Sequence, residues 1–253
     1  MVSPVVRIIG PGRAGTSLAL ALTNRGWDVA PMLGRDHDLT AAAKDVQLLV
    51  VATPDAAIEE VARTVDPVAS TVVAHLSGSL GLDVLKPHQR RAALHPLVSL
   101  PNPDRGSKRL VGAWFAVVGD PLVREVVDAL YGRAFVVAEE DRALYHAGAS
   151  IAANHLVALL GQVERLADRA GVPREAYLDL ARATLDNVAD LGAAAALTGP
   201  VARGDEATVK RHLRSLPADE RPAYRAMAAA ARRLLEPEPP APPAPPPPPS
   251  TAR

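Results

Sequence analysis

Apolar residues follow two different periods along the chain, and the change from one to the other comes near Glu139. Before it, short runs rich in β-branched residues recur at 5–9, 28–33, 46–52, 71–75, 92–97, 114–119 and 134–137. The run at 46–52 is apolar almost throughout, as a strand covered on both faces of a parallel sheet has to be. Stretches with helical spacing separate several of these runs, at 18–22, 56–64 and 122–131, whereas 101–109 is polar and predicts a loop. Gly26 is placed to close the first helix and Asp55 to cap the second. Strand and helix alternating in this way predict an α/β fold with a doubly wound, mostly parallel sheet.

After Glu139 only the helical period remains, with Leu156, Leu159, Val163, Leu166 and Ala170 on one stripe. A long helix over 141–170 ends at Gly171-Val172-Pro173, and Pro173 opens the next helix. The expected organisation is an α/β domain over 1–138, an all-helical domain over 139–236 and a proline-rich tail over 237–253. Such a tail is extended and has no core to join.

Composition narrows the function classes. The 253 residues carry 28 basic and 28 acidic side chains, and aromatic residues make up 3%. Neither a basic surface nor a set of stacking platforms therefore points to nucleic acid. Cysteine is absent, which excludes disulfides, zinc thiolates and thiol nucleophiles. No uninterrupted apolar run reaches the roughly 18 residues of a membrane helix. The first strand begins too early for a cleaved leader. The expectation is a cytoplasmic protein with no membrane partner.

Candidate chemistry gathers at the strand ends. The first strand runs into Gly10-Pro11-Gly12-Arg13-Ala14-Gly15, a GxGxxG turn that opens a helix. In a dinucleotide fold of the Rossmann kind, the first glycine allows the turn and the second lets the pyrophosphate approach the backbone. The third lets the helix pack on the strand. Arg35 falls where such folds read the ribose, and an arginine there suits the 2′-phosphate of NADP; Asp36 beside it keeps NAD possible. Thr53 and Pro54 leave the third strand at the edge where ligands bind. His75 and His95 end strands at that same edge, with Ser77 close by. On the long helix His146, Ser150 and Asn154 are spaced by four, which puts them on one α-helical face. Arg203 could fork onto a carboxylate, and Asp205 could cap the helix over 206–213.

Taken in order, Gly10-x-Gly12-x-x-Gly15, His75-Leu76-Ser77-Gly78-Ser79, His95-Pro96, Tyr145-His146 through Asn154 and Thr198-Gly199-Pro200 through Asp205 resemble a known family. Its members join a Rossmann-like domain to a helical DUF2520 domain that is similar to the C-terminal domain of 6-phosphogluconate dehydrogenase. The resemblance implies NADP binding, a homodimer built through the helical domain, and a small carboxylate-bearing substrate. Some members look like alternative ketopantoate reductases. The catalytic lysine of related hydroxyacid dehydrogenases is missing: Asn154 matches their asparagine, but Ser150 stands four residues before it, and no lysine occurs between Lys108 and Lys210. The proton donor is then expected to be His146 or His95, unless the substrate is an imine that arrives protonated. Ser77 and Asn154 would position the substrate, with Ser150 and Arg203 binding it. The reading is an NADP-dependent reductase of a small oxo or imino acid; the competing one is a sensor or scaffold that binds NADP(H) without catalysis.

Overall fold

The computed structural model describes residues 4–236, so the proline-rich tail lies outside the described residues. The chain forms two compact units that divide between Leu156 and Val157. The first unit therefore runs past residue 138, and the opening half of the long helix belongs with the sheet.

That unit is built on seven strands: β1 (Val5–Ile9), β2 (Asp28–Val29), β3 (Leu48–Val51), β4 (Val72–His75), β5 (Arg90–Pro96), β6 (Trp114–Gly119) and β7 (Arg133–Phe135). They lie in the order β2-β1-β3-β4-β5-β6-β7. All neighbours are parallel except β5 and β6. The doubly wound, mostly parallel sheet expected from the alternation is thus the fold observed. Every residue of β3 and β4 is buried. The second run is shorter than its apolar pattern predicts, since only Asp28–Val29 pairs as a strand and Leu33 returns as an isolated bridge to Ile9.

Helices cover both faces. Leu18 and Leu22 of α1 (Arg13–Thr23), Leu110 of α3 (Pro103–Leu110) and Val123, Val126 and Val127 of α4 (Leu122–Ala129) share one core with the sheet. Ile58 and Ala62 of α2 (Asp55–Thr64) and Leu85 help to form the other. The helix α3 corrects the predicted loop at 101–109. Asn102 caps it by accepting from the Arg105 N–H, Pro103 takes its first turn, and its buried face consists of Gly106, Ser107 and Leu110. A second correction concerns α2: Asp55 makes no capping bond there, because its carboxylate is engaged by two serine hydroxyls.

The long helical run starts as a 3₁₀ turn and continues as α5 (Arg142–Ser150), a π turn (Ile151–His155) and α6 (Leu156–Ala170). By length and composition this run of 32 residues, with a mean hydropathy of 1.2 over its most apolar window, could cross a membrane. In α5, Arg142 and Tyr145 are hydrogen-bonded to Ser77 and His95 of the sheet unit. The second unit adds α7 (Arg174–Leu191), α8 (Ala193–Ala196), α9 (Gly199–Ala202), α10 (Glu206–Ser215) and α11 (Arg221–Arg233). Asp205 caps α10 as expected, accepting from the Thr208 N–H.

Tight packing at the start of α1 makes a direct test possible. A Cβ on Gly15 would stand 2.2 Å from the Gly10 carbonyl oxygen. Gly15→Ala should therefore cost about 1–3 kcal/mol, as over-packing does. A urea unfolding midpoint unchanged from that of the parent protein would refute the contact.

Candidate active site

The sheet reverses direction of winding between β1 and β3, since the chain goes from β1 outward to β2 and then back across to β3. In open α/β sheets the crevice at such a point, at the carboxyl ends of the strands, is where ligands bind. Here the turn after β1 meets the turn after β3. Gly10 adopts a φ of +107°, and a Cβ there would lie 2.7 Å from the Ala52 carbonyl oxygen. Gly12 differs from both other glycines of the turn. Its backbone is extended, with φ −82°, and a Cβ on it would meet nothing within 4 Å.

As the N-cap of α1, Gly12 brings no side chain to the helix start. The first-turn N–H groups are left for an outside acceptor, and the helix dipole favours an anion. Thr53, in the facing turn, holds its hydroxyl buried with no partner. Pro11 lies against Gly34, whose N–H donates to His37 Nδ1 at 3.1 Å. Arg13 and Arg35 are both exposed, and Pro54 is the N-cap of α2. An open glycine, uncapped N–H groups and an orphaned hydroxyl form a cradle whose donors match a phosphate-bearing ligand.

Beside this turn, the ends of β4 and β5 carry a polar cluster. The two regions adjoin through Asp55, which follows the turn after β3 and accepts from the Ser77 and Ser79 hydroxyls. His75 is fully buried and held at both nitrogens: Nδ1 accepts from the Ser77 N–H at 3.1 Å, and Nε2 lies 3.1 Å from the Gly81 carbonyl. The Ser77 hydroxyl donates to Asp55 at 2.6 Å and accepts from the N–H groups of Ser79 and Leu80. Expected as a substrate-positioning group, it is instead fully occupied in shaping its own loop. Gly78, next in that loop, makes room for two rings, because a Cβ there would touch His146 at 2.8 Å and His95 at 2.9 Å.

Helix α5 supplies the other wall. Arg142, Tyr145 and His146 follow each other at i, i+3 and i+4, which places all three on one face. Arg142 as a residue is 2% exposed; Nη2 donates to the Ser77 carbonyl at 3.1 Å, while Nε is buried without a partner. Tyr145 Oη lies 2.6 Å from His95 Nδ1. The His95 ring meets Tyr145 and His146 edge-on, with centroids 5.5 and 5.8 Å apart, and Phe135 packs against Tyr145 at 5.7 Å.

Burial sets the charges. It drives His75 down to about 4, against the pull of the Gly81 hydrogen bond and with help from the Arg142 charge. Burial likewise takes His95 to about 4, with His146 and Arg142 pushing the same way and Asp55 opposing. Tyr145 is raised by burial, an effect that Arg142 partly offsets. Arg142 itself is lowered by burial, with Tyr145 and Glu139 opposing. Both buried imidazoles are therefore neutral near pH 7, and His95 does not qualify as the imidazolium donor expected from the sequence.

Of the residues picked out from the sequence, His95, His146 and Ser77 do converge. Ser150 is half-buried and Asn154 exposed. The π turn over Ile151–His155 makes the helix wider between them, so the four-residue spacing does not keep Asn154 on the face expected for an α-helix. Arg203 is exposed just after α9, in the helical unit. Asp55 is expected only as a helix cap, and the pattern assigns no role to Arg142 or Tyr145, although the i, i+3, i+4 spacing of Arg142, Tyr145 and His146 is legible in it.

This architecture of glycine turn, doubly wound sheet and trailing helices is that of a Rossmann-like protein, and residues 36–101 match the family model of a Rossmann-like domain. Residues 117–231 match the family model of a domain of unknown function, DUF2520. A candidate NADP oxidoreductase from Bacteroides fragilis shares the fold with a TM-score of 0.78 at 19% identity, over 91% of this chain and 98% of that one. A reductive aminase from Aspergillus terreus, solved with NADPH and ethyl levulinate, follows at 0.68 and 16%, over 91% and 94%. Plasmodium falciparum pyrroline carboxylate reductase, solved with NADP, gives 0.60 and 13%, over 93% and 100%. No curated protein matches the sequence.

The neutral histidines give the fold a definite pH dependence. Both have folded values of about 4, below the ordinary 6.5. Their contribution is complete above pH 6.5 and is lost as the pH falls toward 4, because the unfolded chain then binds more protons. Each imidazole should account for about 3 kcal/mol of that loss. Urea unfolding at pH 7.5 and 4.5 measures it, and equal stabilities would contradict the burial of the two rings.

Proposed function

We propose that this protein is an NADP-dependent oxidoreductase that reduces a small oxo or imino acid. One observation carries the reading: a glycine turn whose middle glycine no protein atom requires faces the turn after β3, whose Asp55 is bonded into a cluster of polar and ring groups at the same sheet edge. A pure scaffold would have no use for Gly12. Solved structures of the same fold hold NADPH or NADP, which supports the choice of cofactor.

In this reading the first-turn N–H groups of α1, among Arg13, Ala14 and Gly15, hold the pyrophosphate, and Arg35 takes the 2′-phosphate. Thr53 gives its unpaired hydroxyl to the bound nucleotide. The cofactor supplies hydride, and the chain supplies orientation and charge. The rings of His95, Tyr145 and His146 around Gly78 form the wall against which the substrate is held.

A second copy of the chain completes the assembly through the helical unit. Helix α7 runs for 18 residues without burying one of them, and leaves Leu180, Leu185, Val188 and Leu191 exposed. An apolar face of that length is an interface rather than a solvated surface. Light scattering on the purified protein should give the mass of a dimer, and a monomer at micromolar concentration would remove the partner.

The cofactor site has a clean test in Gly12→Ala. Its backbone conformation suits alanine and no atom opposes a Cβ, so the thermal midpoint should change little, the stiffer unfolded chain offsetting alanine's poorer fit at an N-cap. NADPH affinity should fall at least about tenfold as the methyl group meets the pyrophosphate. Unchanged affinity in calorimetry would put the nucleotide elsewhere. Following NADPH oxidation against ketopantoate, pyrroline-5-carboxylate and related acids tests the reaction. Tight binding with no turnover across the panel would leave a binding module and overturn the enzymatic reading.

A further inference from the structure

The geometry points to Tyr145 as the acid that protonates the carbonyl oxygen of an oxo-acid substrate, with His95 and Arg142 as its positioning residues. This rests on the reductase reading above and narrows it in two ways, by naming the proton donor and by choosing a ketone over an imine that arrives protonated.

Three arrangements lead there. First, Tyr145 Oη is fixed at 2.6 Å from His95 Nδ1, and its ring is pinned edge-on by His95 and Phe135. A phenol held on both sides presents one hydroxyl direction. When His95 carries its proton on Nδ1 and donates to Oη, the Tyr145 O–H is free to point at a ligand, and the same N–H steadies the oxygen after the proton leaves.

Second, the buried Arg142 lies one turn earlier on the same helix. A guanidinium does not give up its proton in a protein, so it acts as a fixed positive charge and lowers the cost of forming a phenolate nearby. The titratable and charged groups around Tyr145 are His95 from β5 and Arg142 and His146 from its own helix, while β7 offers only the apolar Phe135. Asp55, across the cluster, acts on His95.

Third, two other candidate donors drop out. His95 is driven to about 4 and is neutral at working pH, and no lysine occurs between Lys108 and Lys210.

The balance is simple. The carbonyl carbon takes up hydride with its electron pair, and the C=O π bond becomes a lone pair on oxygen. That oxygen forms an O–H bond as the phenol O–H of Tyr145 breaks. The phenolate then regains a proton from water, and the product is a hydroxy acid.

Two experiments test this, one of them without cofactor. Tyr145→Phe should cut turnover on oxo acids by about 10²- to 10⁴-fold, the usual yield of a positioned acid, while NADPH affinity stays unchanged and the thermal midpoint drops by no more than the loss of one hydrogen bond explains. A cyclic imine that arrives protonated should lose far less, and serves as the internal control. Near-normal oxo-acid turnover in Tyr145→Phe, or a parent enzyme that reduces imines alone, would overturn the assignment. In the ligand-free protein, the difference in tyrosinate absorbance between the parent and Tyr145→Phe isolates the Tyr145 titration. Arg142→Met should move that titration to higher pH, and Arg142→Lys should restore it in part. An identical titration in all three would overturn the role given to Arg142 whatever the activity. Failure of the parent protein to bind NADPH would sink the reductase reading, and Tyr145 as its acid with it, but would leave the measured Arg142–Tyr145 coupling intact.

Discussion

Three stretches of backbone approach one another at the head of α1 more closely than side chains permit. Gly10 lies against the Ala52 carbonyl, and Gly15 lies against the carbonyl of Gly10 itself. Everything at the ligand edge depends on this contact. It brings the turn after β1 beside the turn after β3, and it aims the start of α1 across the ends of the central strands. Gly12 stands between the two constrained glycines and is itself unconstrained. Packing explains two of the three glycines and cannot explain the third, so the third is the one that speaks of a ligand.

A single buried charge organises the neighbouring cluster. Arg142 is withdrawn from solvent and given one carbonyl, that of Ser77, an arrangement that is costly unless the surroundings are fixed around it. They are fixed: Ser77 and Ser79 are tied to Asp55, and His75 is bonded at both nitrogens. The guanidinium ties α5 to the loop after β4, so that Tyr145 and His146 reach His95 over the gap left by Gly78. Burial keeps the imidazoles from charging, and the guanidinium adds to that effect. One residue thereby ties the site together and reinforces its protonation.

The parts of the fold legible in the sequence were those with a strong period. The apolar strands and the glycine turn could be read because burial on both faces and a positive φ each demand particular residue types. Helix α3 escaped, since its hidden face is Gly106 and Ser107 with a single leucine. Gly106 is there because a Cβ would strike the Ser17 hydroxyl, and closeness of that kind leaves no hydrophobic stripe to find. Asp55 was misread for another reason. At the head of a helix a carboxylate has a local use as a cap, and only the arrival of Ser77 and Ser79, more than twenty residues on, offers it a better one. The π turn after Ser150 had no visible signal in composition, yet it alters which face Asn154 presents. Local pattern locates elements, whereas the partners that decide a side chain's role come from far along the chain.

The missing lysine is where these threads meet. An ammonium group near a carbonyl can do two jobs, holding developing negative charge and giving up a proton, because burial brings its pKa within reach of neutrality. A guanidinium can do only the first. With Ser150 at the lysine position and the nearest buried charge a guanidinium, charge and proton are separated, and the chain must find the proton elsewhere within reach of that charge. On α5 that group is one turn away: Arg142 is at the head of the helix, and Tyr145 follows on the same face with its hydroxyl already against an imidazole. The separation has a chemical consequence. A phenol kept protonated by burial remains an acid across the neutral range, whereas a histidine of ordinary pKa in its place would lose its proton within that range.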